Sequence, residues 1–307
     1  MKKIIETSDE SSLPIRDISR LTGVNSVTLR AWERRYGLIK PLRTTKGHRL
    51  YRREDIELIK KIQAWLARGL AIGKVSELLE SDYTSSDVVI ENSWQVYCAE
   101  LLSIMAELNL GKLDAFFNQL FSVYPAAVIA DQLITPVLDQ LSQDLYGNRV
   151  KKIILENRLS EYLLMLTQRQ RQQTSGKSVA ILQLSTAGNP LLNVLLHYGL
   201  STHQIKSELI GLISSKEIVF AAEQLAIGGF IVYNDSCSSL GEFQRELVQL
   251  ADLISVPIFV GGKLAKAINI ELPAHVHIVS DGRQQATQHA LNSFLFEKSL
   301  DSVKELI

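Results

Sequence analysis

The sequence predicts a multidomain chain of α and α/β class: a winged helix-turn-helix, then a four-helix bundle, then a doubly wound parallel sheet. Three observations predict it. Two short helical patterns flank a Gly- and Asn-containing turn near the start. Helical periodicity then runs from Trp94 to about Arg171, and the last third alternates apolar strand runs with helical stretches. The predicted boundaries are a disordered arm at 1–12, a helical domain at 13–80, the bundle at 90–172 and the sheet domain at 178–307.

Composition supports ordinary folded domains. The chain has 307 residues, 46% of them hydrophobic, enough for two or three cores. MKKIIETSDESS has two lysines but no apolar stretch, and no later run approaches the roughly 18 apolar residues that span a bilayer. A cytoplasmic location without a membrane partner is expected. Cys98 and Cys237 lie far apart, giving neither a disulfide framework nor a metal knuckle. The formal net charge of zero conceals segregation: residues 1–80 carry 17 Lys and Arg against 10 Asp and Glu, and the remainder carries the opposite excess. One end is built to meet a polyanion.

The elements follow in order. LPIRDISRLTGV spaces Leu13, Ile15, Ile18 and Leu21 on one helix face, and Gly23 and Asn25 form the turn. Ser26 is the expected N-cap of a second helix, SVTLRAWERRYG, which Gly37 terminates. Two such helices across a tight turn make a helix-turn-helix. TTKG between two short segments predicts a hairpin, the wing. Ile56, Ile59, Ile62 and Leu66 then mark an amphipathic helix stopped by Gly69, and a smaller one covers Val75, Leu78 and Leu79. SDYTSSD at 81–87 reads as a linker or helix entry.

The bundle helices are WQVYCAELLSIMAEL, LDAFFNQLFSVY, a segment opened by Pro125, and KKIILENRLSEYLLMLTQ; Pro136 should kink or break the third. After a linker at 172–177, VAILQLS, SELIGLI, GGFIVYN, PIFVGG and VHIVS are the strand candidates. Helices are expected at about 189–201, 216–227, 239–252, 263–269 and from Arg283 to about Leu306.

The strongest chemistry lies in TLRAWERRYG and GHRLY, which concentrate Arg30, Arg34, Arg35, Arg43, Lys46, His48, Arg49, Arg52 and Arg53 around a helix and a hairpin. A helix fits the major groove of duplex DNA, and a wing places Arg or His beside the neighbouring backbone. Thr28, Trp32, Tyr36 and Tyr51 offer contacts to phosphates or thymine methyls, although Trp32 and Tyr36 fit a core equally well.

VTLRAWERRYGLIKPLRTTKGHRLYRREDI closely resembles the DNA-binding region of MerR-type transcriptional regulators, over about residues 13–80. The resemblance implies binding to a double-stranded operator, usually as a dimer on inverted half-sites. It also places Arg30, Trp32, Arg43, His48, Arg49 and Tyr51 at positions that touch DNA. A winged helix-turn-helix followed by a bundle and a flavodoxin-like domain is similar to the CarH and LitR light sensors, which use cobalamin. MlrA-type regulators share the first domain and diverge thereafter.

The resemblance beyond residue 94 is one of layout. In the bundle, the sensors' Trp and Glu-His align with Tyr146, Glu156 and Asn157, and Asn157 has no imidazole. The loop that supplies the axial His in the sensors reads AGNPLL here, with Ala187, Asn189 and Leu192 at the three motif places. Tyr233 and Asp235 follow GGFIV where a small Ser would stand, and only Gly261 and Gly262 match the family's Gly pair. No cofactor is therefore expected, cobalamin included, and no metal. Tyr146, Glu156, Asn157, Asn189, Tyr233, Asp235, Gly261 and Gly262 would line a cleft if another ligand bound there.

His275 and His277 share a strand face without an acidic or Cys partner and read as packed or surface residues. No Gly-x-Ser-x-Gly elbow or phosphate-loop Lys motif occurs, so no enzyme is expected. The leading expectation is a DNA-binding regulator, repressor or activator, working through homo-oligomerisation (a dimer or higher). Two others stand beside it: a small-molecule sensor, and a module on which an anti-repressor or other regulatory protein docks.

Overall fold

A computed structural model describes residues 12–80, 94–171, 178–279, 281, 283, 284 and 286–291. The expected arm and both linkers fall almost entirely outside these residues. The chain divides into two compact units, Met1–Leu159 and Ser160–Ile307.

The first unit opens with β1 (Leu13–Pro14), α1 (Ile15–Thr22) and α2 (Ser26–Tyr36). Leu13 and Pro14 were expected to begin the first helix, but they pair with β3 (Arg49–Tyr51), where Leu13 faces Tyr51. Gly23 closes α1 at φ 68°, and Gly37 closes α2 at φ 64°, the left-handed cap that favours glycine. The N-cap of α2 is Asn25 rather than Ser26: its side-chain oxygen accepts the Val27 N–H at 3.0 Å. β2 (Leu42–Arg43) pairs antiparallel with β3, and Gly47, at φ 83°, turns the wing between them. α3 (Arg53–Ala67) buries Ile59, Ile62 and Leu66, and α4 (Ile72–Glu80) buries Val75.

Four helical stretches follow: α5 (Trp94–Glu107), α6 (Leu110–Val123), a composite of α7 (Ala126–Ile129) and α8 (Thr135–Leu141), and α9 (Asn148–Arg171). The expected disturbance at Pro136 takes the form of a π turn, Ala130–Ile134, between α7 and α8. Proline cannot donate to the carbonyl four residues back, so the ladder widens instead of ending. That carbonyl, on Gln132, accepts the Cys98 thiol at 3.7 Å.

Helix ends leave polar groups without intrahelical partners, and here they are satisfied between elements. Trp32 Nε1 donates to the Val123 carbonyl at the end of α6 (2.8 Å), and Gln132 Nε2 donates to the Ala67 carbonyl at the end of α3 (2.8 Å). The first N–H of α4, on Ile72, donates to the Tyr124 hydroxyl. These bonds, with the packing of α2 on α6, join the winged part to the helices after residue 94 within one compact unit.

In the second unit β4 (Ser178–Gln183), β5 (Ser207–Leu212), β6 (Ile227–Tyr233), β7 (Ile258–Gly261) and β8 (Val276–Ile278) form a parallel sheet in the order β5-β4-β6-β7-β8. All five predicted strands are present. β4 is buried throughout, as its unbroken apolar run requires of a central parallel strand. Ala180, Leu182, Phe230, Val232, Ile258 and Val260 pack under α11 (Ser215–Gln224) and α12 (Leu240–Leu253). Alternate residues face α10 (Pro190–Thr202): Gln183 bonds Asn193 on α10, and Ser207 on β5 bonds His197 at 2.8 Å. Because α10 and α12 leave adjacent strands toward opposite faces, the ends of β4 and β6 form the topological switch point. Among the described residues no helix is long and apolar enough to cross a membrane, and no group of His, Cys, Asp and Glu could hold a metal ion. His277 stacks on Phe259, with ring centroids 4.9 Å apart.

Candidate nucleic-acid interface

Helical spacing gives α2 two faces. Thr28, Leu29 and Trp32 turn inward and are buried, while Arg30, Arg34 and Arg35 are exposed beside Val27. Arg34 and Arg35 occupy the last turn, where the helix dipole favours cations. With Ser122 from the end of α6, Val27, Arg30, Ala31, Arg34 and Arg35 line a groove of about 320 Å³.

The aromatic and hydroxyl residues expected at a DNA surface occupy other places. Thr28, Trp32 and Tyr51 are 1%, 0% and 0% exposed, so their side chains offer no surface to a duplex in this structure. Trp32 spends its only donor on the Val123 carbonyl. The Tyr51 hydroxyl is buried without a partner among the described residues, and burial, aided by the nearby Glu33 carboxylate, pushes its pKa up to about 12. Tyr36 is half-buried, and burial raises its pKa, with Tyr97 adding to the effect. For Trp32, which fitted a DNA contact and a core equally, the packing decides for the core.

The wing completes the basic surface. Lys46 and His48 lie exposed at its tip, while Arg43 and Arg49 stand opposite each other across the β2–β3 ladder. Both pair with Glu33 of α2: Arg43 Nη2 lies 2.7 Å from one carboxylate oxygen, and Arg49 Nε donates to the other. Sequence reasoning missed Glu33, although it sits inside the motif that carried the prediction. Its signal was its sign, an acid amid arginines.

The residues expected to line a ligand cleft are placed as follows. In the first unit, Tyr146 is fully exposed, Asn157 is exposed, and Glu156 lies 3.9 Å from Lys152. In the second unit, the β4–α10 loop is tied to the loop after β6. The Asn189 N–H donates to Asp235 Oδ1 (2.9 Å), and Ser236 Oγ donates to the Ala187 carbonyl (2.6 Å). Asn189 caps α10, its side-chain oxygen accepting the Leu191 N–H (3.0 Å). Gln183 Nε2 donates to the Ser185 and Gly188 carbonyls, and Asn234 Oδ1 accepts the Leu184 N–H. Tyr233 is buried. No sequence pattern signalled Gln183 or Asn234, because their partners lie in loops that only the fold brings together.

Gly261 and Gly262 have steric reasons of their own. A Cβ on Gly261 would run into Thr287 and lie 3.1 Å from Tyr233 Cδ2. Gly262 has φ 87° and ψ 177°, a region reserved for glycine, and a Cβ there would meet the Asn234 backbone.

Comparison with known proteins agrees with the basic surface. Residues 13–82 match the MerR HTH family of regulatory proteins. The chain is 36% identical over 127 residues to the HTH-type transcriptional regulator MlrA of Escherichia coli strain K12, covering 41% of this chain and 51% of that protein. It is 32% identical over 168 residues to MlrA of Salmonella typhimurium strain SL1344, covering 55% and 67%. The HTH-type transcriptional repressor CarH of Myxococcus xanthus is 37% identical over 70 residues, 23% of each chain. The match thus spans about half the length of the first relative and two thirds of the second. On these grounds the chain belongs to the MerR family of transcriptional regulators, in the subgroup that contains MlrA and CarH.

Proposed function

We propose that this chain is a sequence-specific regulator of transcription that docks α2 in the major groove of an operator and lays its wing on the adjacent backbone. The observation that carries the reading is the division of α2: apolar residues inward, Arg30, Arg34 and Arg35 outward, with Lys46 and His48 on the neighbouring wing. Guanidinium groups hold phosphate oxygens by paired hydrogen bonds, and Arg reads guanine edges in the same way. A dimer on two half-sites is the assembly typical of this mode. Retention by the full chain of a duplex enriched from a random pool, weakened by Arg30→Ala and Arg34→Ala, tests the reading.

Access of α2 to DNA is tied to the helices behind it. The Trp32–Val123 bond and the groove shared with Ser122 hold the end of α6 beside the exposed arginines. The position of that end therefore bears on how much of α2 a groove about 12 Å wide can accept. Oligomerisation or a partner protein that displaces α6 would thereby control DNA binding.

In this proposal the second unit is a flavodoxin-like domain that works without cobalamin, and the helices from Trp94 onward descend from the sensors' four-helix bundle. The residues do not fit a cobalt centre. At the three motif places stand Ala187, Asn189, whose amide oxygen already caps α10, and Leu192, which is buried. Hydrogen bonds close the loops at the switch point, and the retained glycine pair is accounted for by packing. We assign the chain no catalytic step. A second reading, sensing of another small molecule, is favoured by a cleft of about 680 Å³ beyond the strand ends, lined by Ser185, Thr186, Ser214, Ser238 and Arg245 among others.

A further inference from the structure

Arg43 and Arg49 are direct cross-strand partners in the wing. Two like charges so placed repel and tend to splay a short hairpin. The hairpin has only two registered pairs, Leu42 with Leu50 and Arg43 with Arg49, so its ladder alone resists splaying weakly. Glu33 lies where it offsets this repulsion. Each of its carboxylate oxygens takes one guanidinium, and its side chain is only 15% exposed, with Arg43 and Arg49 at 31% and 19%. Pairs sheltered to this degree are screened less by salt than open surface pairs. Arg43 Nη1 also reaches the Gly47 carbonyl at 3.4 Å, which ties the tip of the wing to the same cluster.

Glu33 belongs to α2, one turn before its Gly37 cap, whereas both arginines belong to the wing. A single carboxylate therefore links the element that enters the major groove to the element that lies beside it. We propose that Glu33 is a positioning residue for operator recognition: it fixes the wing relative to α2, so that Arg30, Arg34 and Arg35 of α2 and Lys46 and His48 of the wing meet one duplex in a single register. The proposal rests on the DNA-binding reading above.

Positioning and plain electrostatics predict opposite signs. If Glu33 were only a negative charge on a basic surface, Glu33→Gln would tighten binding to any duplex, because one repulsion with phosphate is removed. Positioning predicts weaker binding to the preferred duplex and equal or tighter binding to an arbitrary one. Glu33→Asp separates the two accounts again, since it keeps the charge but is too short to reach both arginines.

The test uses the full chain and two labelled duplexes of equal length, one enriched from a random pool by the wild-type protein and one with the same bases scrambled. Fluorescence anisotropy gives both affinities. Glu57→Gln on the exposed face of α3, where Glu57 lies 3.0 Å from Lys60, controls for the added charge. For both Glu33 variants the expected result is a fall of about tenfold in the ratio of selected to scrambled affinity, the loss of one well-placed contact. Glu57→Gln should leave that ratio unchanged. An unchanged ratio in Glu33→Asp, or tighter binding of the selected duplex by Glu33→Gln, would overturn the proposal while leaving DNA binding intact. Wild-type protein that enriches no duplex would instead remove the DNA-binding reading, and this proposal with it.

Discussion

If Gly261 and Gly262 are kept for packing, adding a methyl group at either should damage the protein without any cofactor present. At Gly261 the new Cβ would press on the Thr287 hydroxyl and sit 3.0 Å from Thr287 Cγ2 and 3.1 Å from Tyr233 Cδ2. All three are side-chain atoms, so partial relief is available, and a cost of about 1–3 kcal/mol follows for overpacking. Thr287→Ala removes two of the three obstacles, and the double variant should recover most of that loss. At Gly262 the obstacle is backbone: Asn234 C at 2.7 Å and N at 3.1 Å, beneath a φ that alanine adopts only under strain. Gly262→Ala should therefore cost about 3 kcal/mol or more, and Thr287→Ala should not rescue it. Hydrogen exchange of the β6 and β7 amides reads the local opening free energy in each variant, which suits a chain of two units better than one global transition. The packing argument is refuted if Gly261→Ala protects these amides as well as wild type does, or if Thr287→Ala fails to restore protection.

Four further predictions concern other parts of the molecule. Tyr51→Phe deletes a buried hydroxyl that has no partner among the described residues, so stability should hold or rise by about 1 kcal/mol in a thermal melt, and DNA affinity should be retained. The same residue sets a pH dependence: between about pH 10 and 12 the unfolded chain loses the Tyr51 proton while the folded one keeps it, so stability falls as pH rises through that window. Tyr51→Phe should flatten this fall, as denaturation at stepped alkaline pH would reveal. Ser122→Glu places a carboxylate in the groove lined by Arg30, Arg34 and Arg35, holding α6 against α2, and should weaken duplex binding about tenfold in anisotropy titrations. Finally, adding adenosylcobalamin or hydroxocobalamin should leave no visible band on the protein after gel filtration and no rise in melting temperature; stabilisation would contradict a cofactor-free second unit.

Local chemistry made much of this structure legible in the sequence. Gly37 announced the end of α2, TTKG announced the wing, and the unbroken apolar run of β4 announced a central parallel strand. Prediction faltered where a residue's partner lies far along the chain. Trp32 is buried because Val123, 91 residues later, accepts its indole N–H, and no periodicity within α2 distinguishes that from a phosphate contact. The cap at Asn25 instead of Ser26 was a choice between neighbours that both favour the position. Pro136 foretold a disturbance, but not that a π turn would absorb it. At the switch point the sequence AGNPLL shows a loop without an imidazole. The closure was not visible there, because Gln183, Asn234 and Asp235 reach that loop only after the sheet has formed. Glu33 shows the remaining difficulty: within a motif read for its positive charges, the residue that organises them carries the opposite sign.

The central claim is that α2 and the wing bind duplex DNA through their exposed cations. Its most direct test is the affinity of the full chain for a duplex enriched from a random pool, measured across a series of salt concentrations. With Arg30, Arg34, Arg35 and Lys46 exposed, about four phosphates per chain should be neutralised, and log K should fall with log salt at a slope of about −3.6 per chain. Arg30→Ala and Arg34→Ala should each make the slope shallower by about one. Failure to retain any duplex at low salt, or a slope near zero that neither substitution changes, would contradict the claim.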